Sequence, residues 1–227
     1  MDPLFIAIYI ATAFVFVFAH SCGNLGLKRT LLLLALTCGI SLLFESFGVE
    51  TGLVYGLYQY SDRLGAMFLG LVPYAVPLTW FIMIYPSLVI ATRIVPVQVQ
   101  RLDRVLRVAG TGALAMTAWD LVLDPVMVHF EFWEWGTEGL YFGIPLHNFL
   151  GWWLTSFIIF SAYLLVKPIP GPGQGERPAD SDRLAVIAYA ITGATTVLVA
   201  VNFGLIGPAV FGSLAMLPWV VLGLRGK

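Results

Sequence analysis

The chain has 227 residues, 59% of them hydrophobic and only 11% charged, with a net charge of −1 and a mean hydropathy of +0.88. Soluble domains carry about 25% charged residues, so this composition excludes a soluble enzyme, a disordered chain and a nucleic-acid binder with a basic face. It leaves room for roughly seven membrane spans of about 20 residues each and little else. The expected fold is an all-α, polytopic membrane helix bundle forming a single domain over 1–227.

In chain order, apolar runs predict spans at 3–22, 30–48, 70–92, 108–128, 143–166, 184–204 and 206–222. The first run has no basic stretch before it, so it reads as a span and not as a cleaved leader. Residues 97–107 read as a short basic amphipathic segment on the cytoplasmic surface, and 168–183, rich in Pro, Gly and charge, as a flexible cytoplasmic loop. The last two runs are separated only by Gly204-Leu205-Ile206-Gly207-Pro208. They read as two spans in preference to one re-entrant unit. With the N-terminus outside and the C-terminus cytoplasmic, eleven of the twelve Lys and Arg residues fall on the cytoplasmic side, leaving Arg63 outside, as the positive-inside bias requires. No strand is expected. Cys22 and Cys38 have neither metal-type spacing nor a disulfide framework.

Acidic residues gather at the opposite, outer end. Glu45 lies near the end of the second span and Glu50 just beyond it. Asp120 and Asp124 lie in the outer half of the fourth, where their four-residue spacing places both carboxyls on one helix face. His147 and Asn148 open the fifth span. A carboxylate at bilayer depth costs about 2.5–3.5 kcal/mol, and no Lys or Arg is predicted at the same depth. These groups are therefore either protonated or hydrogen-bonded to one another and to nearby polar side chains. The ordinary alternative is a helix cap reaching headgroup water, which suits Glu50 and Asp124 better than Asp120.

Aromatic residues cluster at the same level: Tyr55, Tyr58 and Tyr60 in one loop, Phe130, Phe132, Trp133, Trp135 and Tyr141 in the next, and Trp119, Trp152 and Trp153 in the spans. An interfacial aromatic belt accounts for many such rings. The alternative is a pocket for a long apolar ligand, with ring faces turned toward a developing cation. Pro73 and Pro77, assigned to the third span, are expected to bend it.

Other chemistries lack their residues. No lysine lies in 206–222 for a retinal Schiff base, and His20, His129 and His147 are too few and too scattered for a histidine-built metal site. Asp120-x3-Asp124 is a single weak echo of the paired Asp-rich motifs of prenyltransferases. Acid catalysis without metal or redox cofactor, on something dissolved in the bilayer, is the chemistry that remains.

Several blocks resemble the CruF-type carotenoid hydratase family, which includes the bisanhydrobacterioruberin hydratases. In the first half these are Glu45-x4-Glu50-Thr51-Gly52, Tyr55-Gly56-x-Tyr58-x-Tyr60, Leu64-Gly65 and Val72-Pro73. In the second half they are Trp119-Asp120-x3-Asp124-Pro125, Trp133-x-Trp135, Tyr141-Phe142-Gly143-Ile144-Pro145 and Asn148-Phe149-x-Gly151-Trp152. The resemblance covers roughly 40–165 and implies addition of water to the terminal double bond of an acyclic carotenoid end group (bisanhydrobacterioruberin, lycopene or gamma-carotene type), with water as the cosubstrate. It implies a multi-pass protein of the cell membrane, without a nucleic-acid partner, that works beside other carotenoid-biosynthesis membrane enzymes. On chemistry and position, Asp120 is the expected proton donor, with Asp124 or Glu45 as its ionised partner and Glu50 a further candidate. His147, Asn148 and Tyr58 are expected to order the water, and Tyr55, Tyr60, Trp119, Trp135, Tyr141 and Trp152 to line the substrate. A carotenoid end-group cyclase, a proton-coupled membrane protein and a non-catalytic carotenoid-binding protein are the alternatives.

Overall fold

A computed structural model describes residues 3–167 and 179–226. Seven helices long and apolar enough to cross a membrane account for most of them. They are α1 (Pro3–Leu25), α2 (Leu27–Thr51), α3 (Ala75–Ile94), α4 (Arg101–His129), α5 (Leu146–Val166), α6 (Ala179–Asn202) and α7 (Ile206–Arg225). Helices are what a bilayer demands, because each backbone donor and acceptor must be satisfied within its own segment.

α3 is the axis of the bundle: 83% of its most apolar stretch is buried, against 17% for α1 at the periphery. α4 packs most extensively against α5, where Gly112 lets the Phe160 ring come against its backbone. The turn from α1 to α2 is a single residue, Gly26, with a φ of 83° that glycine adopts without a Cβ penalty.

The structure moves several predicted boundaries. Residues 101–107 are the first two turns of α4 and not a separate surface segment. Of the expected loop 168–183, residues 179–183 begin α6, and the rest lies outside the described residues. Asp182 in that first turn accepts from Asn24 at 2.9 Å and pairs with Arg93 at 3.8 Å, which ties α6 to α1 and α3. Pro73 precedes α3, and Pro77 sits in its first turn, where a missing N–H costs nothing. The proline inside α3 is Pro86. α6 and α7 are two helices joined at Gly204, as the sequence predicts.

The absence of strands is also corrected. At the end of the bundle where α2 stops and α3 starts, β1 (Tyr58–Tyr60), β2 (Met67–Phe68) and β3 (Val72–Pro73) lie in the loop between them. β4 (Trp133–Trp135) lies in the loop between α4 and α5. β2 pairs with β3, and β1 pairs antiparallel with β4 in the register Tyr58↔Trp135, Gln59↔Glu134, Tyr60↔Trp133. Arg63 fastens the same two loops by donating to the Phe130 carbonyl at 2.8 Å, with its guanidinium over the Phe132 ring. Ser61 adds bonds to the Phe132 and Glu131 carbonyls.

Candidate functional site

The paired loops close one end of an apolar cavity of about 150 Å³ that descends between α1, α3, α4 and α6. Side chains alternate across a strand, so the β1–β4 pair turns Tyr58, Tyr60, Trp133 and Trp135 toward this cavity and leaves Gln59 and Glu134 exposed and bonded to each other. Two carboxyl groups from the helices, Glu45 and Asp124, meet these rings, and a third, Asp120, lies behind them.

Glu45 of α2 is buried and lies on the wall. Its Oε2 accepts from the hydroxyls of Tyr58 and, at 2.8 Å, Tyr60. Its Oε1 accepts from the Trp80 indole at 3.1 Å. Burial first, and then the Glu45 charge, hold the phenols of Tyr58 and Tyr60 well above their ordinary range, so both remain donors. Tyr55 reaches the same wall through a slot between Gly48 and Gly151, where any Cβ would strike its ring. Its hydroxyl is 2.8 Å from Thr155 Oγ1.

Asp124 of α4 is also on the wall. Its Oδ1 accepts from the indoles of Trp133 at 2.7 Å and Trp135 at 3.2 Å. Its Oδ2 accepts from the Asn148 amide at 2.6 Å. The same amide nitrogen donates to Asp120 Oδ2 at 2.8 Å, so one NH₂ group bridges two carboxyls a helical turn apart. Asp120 is fully buried behind Asn148, and among the described residues its Oδ1 has no hydrogen-bond partner. The ring of Tyr58 lies 5.2 Å from that of Trp135, and this contact joins the Glu45 cluster to the Asp124 cluster. Trp152, stacked on Trp80 at 4.4 Å and edge-on to Trp119, completes the aromatic wall. Among the described residues, no Lys, Arg or His lines the cavity.

The structure therefore brings together Glu45, Asp120, Asp124, Tyr55, Tyr58, Tyr60, Trp119, Trp135, Asn148 and Trp152. It does not bring in Glu50, which is exposed on the last turn of α2, or His147, which is exposed beside Asn148. Tyr141 is off the wall and has a structural partner. Pro125 removes the N–H that would bond the Leu121 carbonyl, and the Tyr141 hydroxyl donates to that carbonyl at 2.9 Å. Burial, and then Asp120, push the Tyr141 phenol up to about 12. Sequence reasoning missed Trp80 and the hydrogen-bonding role of Trp133. The period-two patterns Tyr-x-Tyr and Trp-x-Trp were the available signal for the strands, whereas Trp80 is one aromatic in an apolar run and carries none.

Residues 4–218 match the family described as "Carotenoid biosynthesis protein". The chain belongs to the carotenoid biosynthesis protein family. Over 114 residues it is 34% identical to the bisanhydrobacterioruberin hydratase of Haloarcula japonica, a match that covers 50% of this chain and 38% of that protein. It thus takes in little more than a third of the relative's length. No solved structure matches. Family membership agrees with the resemblance carried by the motif blocks, and the seven apolar helices make this a multi-pass membrane protein.

Proposed function

We propose that this protein is a carotenoid hydratase of the cell membrane, adding water to the terminal double bond of an acyclic carotenoid end group. The observation that carries the reading is the placement of buried carboxyls on, and directly behind, the wall of an aromatic-lined apolar cavity that takes no cationic side chain from the described residues. The named relative supports the reaction class.

The hydrogen bonds divide the acids. Glu45 and Asp124 each receive three donors, and indole and amide N–H groups can only donate. Bonds to a charged acceptor contribute about 1.5–3 kcal/mol each, enough in sum to offset the roughly 2.5–3.5 kcal/mol cost of a carboxylate at bilayer depth. Both groups have the surroundings of carboxylates. Asp120 has one donor and an open Oδ1, the surroundings of a carboxylic acid. The Asp120–Asp124 pair thus holds one proton between two groups whose environments differ, with Asp124 as the member facing the cavity.

In the reaction, the proton held by this pair adds to the CH carbon of the terminal alkene. The π electrons form the new C–H bond and leave a tertiary cation. The faces of Trp135, Trp119 and Trp152 and the Glu45 carboxylate stabilise that charge. A water lone pair then forms the C–O bond, and the water's proton returns to a carboxylate. Tyr58 and Asn148 hold the water. Protonation and hydration are redox-neutral, so the sequence of steps calls for no redox cofactor.

The test is expression in a lycopene-producing host and in a bisanhydrobacterioruberin-producing host, followed by pigment extraction and mass analysis. Hydration adds one water to the substrate. An isomer of unchanged mass would make the protein a cyclase, and unaltered pigment in both hosts would make it a non-catalytic binder.

A further inference from the structure

The cavity, about 150 Å³, is smaller than a whole carotenoid, so most of a bound one would extend beyond it. We infer that the substrate enters sideways from the lipid through a gap between α1 and α6, and that Tyr9, Thr192 and Thr195 form its rim. This rests on the carotenoid reading above. Of the side chains on the cavity wall, the two that are more than a third exposed are Phe5 (67%) and Tyr9 (37%), both on α1. Opposite them, Thr192, Thr195 and Thr196 are spaced to share one face of α6. Thr195 is half-buried on the same wall, whereas Ile191 and Leu198 of α6 face outward.

The loop end gives no such opening. There β1 and β4 are paired, and Arg63 and Ser61 bind one loop to the other. α1 is the least buried helix and packs only lightly on α6, so it is the element that can yield. The rim is polar but satisfied: Tyr9 is within hydrogen-bonding reach of Thr192, Thr195 bonds its own helix at the Ile191 carbonyl, and Thr196 accepts from Trp119. Opening the gap parts Tyr9 from Thr192 while the Asn24–Asp182 bond holds the other end of α1 to α6, and it exposes no unpaired backbone. A rigid polyene seated this way keeps its end group beside Asp124 and Glu45 and its remaining length against lipid.

The test compares the full-length protein with Thr195→Trp, which fills the gap, Leu198→Trp, which adds the same bulk on the lipid face, and Tyr9→Ala, which widens the gap. Membrane yield and helicity are checked for each. Pigment retained after purification from a lycopene-producing host and hydrated product are measured side by side. Overfilling a packed site lowers occupancy by about tenfold or more. Thr195→Trp is expected to lose retained pigment and product by that factor, Leu198→Trp neither, and Tyr9→Ala is expected to load pigment faster. Equal pigment in Thr195→Trp and wild type, or equal loss in the two Trp variants, overturns the lateral gap. If Thr195→Trp fails to insert, unchanged loading by Tyr9→Ala overturns it alone. Wild-type protein that retains pigment but returns it unhydrated sinks the hydratase reading and leaves the gap to stand on the retention data. Wild-type protein that neither retains pigment nor yields hydrated product sinks both.

Discussion

Asp120→Asn separates the chemistry of the site from its architecture. Asp120 Oδ2 accepts one bond, from Asn148 at 2.8 Å, and Oδ1 accepts none. An asparagine can keep its carbonyl oxygen toward Asn148 and place its NH₂ at the open Oδ1 position. One bond is retained and one buried polar group without a partner replaces another, so the net change in stability is about 1 kcal/mol or less. For a chain of this size that shifts Tm by about 2–4 °C. The proton is lost altogether. Without a partner to share a proton, Asp124 keeps its three donors and stays the carboxylate, so a general-acid contribution of about 10²–10⁴ in rate disappears, equivalent to about 3–5 kcal/mol of barrier. The assay is hydrated pigment per unit of membrane protein, by mass analysis, with thermal unfolding in detergent as the companion measurement. Undiminished product from folded Asp120→Asn protein refutes the assignment of the proton to this pair. A large Tm loss refutes the account of its hydrogen bonds.

Tyr141→Phe leaves the part-buried Leu121 carbonyl without its donor, and a lost bond of this kind costs about 0.5–1.5 kcal/mol. Thermal unfolding should fall accordingly while product per folded molecule holds. Gly151→Ala drives a methyl into the Val54 carbonyl and the Tyr55 ring. Overpacking there costs about 1–3 kcal/mol and displaces Tyr55 from the wall, so Tm and activity should drop together. Glu50→Gln and His147→Ala alter exposed groups off the cavity wall and should leave hydration and Tm at wild-type values. A loss in either would return that residue to the site.

The helices were legible because each is a long, nearly uniform apolar run. Their ends were not, because polar residues continue a helix past the apolar stretch: α4 begins at Arg101, seven residues before the predicted span. The acids were legible from cost alone, as Asp120 and Asp124 share a helix face by spacing. Helix phase could have resolved the ambiguous ones. The buried set Thr37, Ser41, Glu45 and Gly48 steps by three and four residues, and Glu50 falls off that stripe. Asn148, Gly151, Trp152 and Thr155 form a matching stripe on α5, from which His147 is displaced by one residue. The β1–β4 pairing was illegible for a different reason. Three-residue strands separated by α3 and α4 carry too few side chains to specify a partner, and their register follows from where the helices put the loops.

That division explains how a bilayer protein keeps charge beside an apolar substrate. The helices hold the carboxyls at fixed depth, but their own backbones have no spare donors to offer. The donors come from the loops folded back over the helix ends. Tyr58 and Tyr60 serve Glu45, Trp133 and Trp135 serve Asp124, and Trp80 and Asn148 complete the sets from neighbouring helices. A one-residue slip in the β1–β4 register would turn the two aromatics of one strand outward and bring that strand's polar residue in, Gln59 if β1 flips and Glu134 if β4 does. Either Glu45 or Asp124 would then lose two of its three donors, and a flip of β4 would also bring a further acid into the apolar cavity. The same register therefore decides both whether the carboxylates are tolerated and whether their substrate meets aromatic faces.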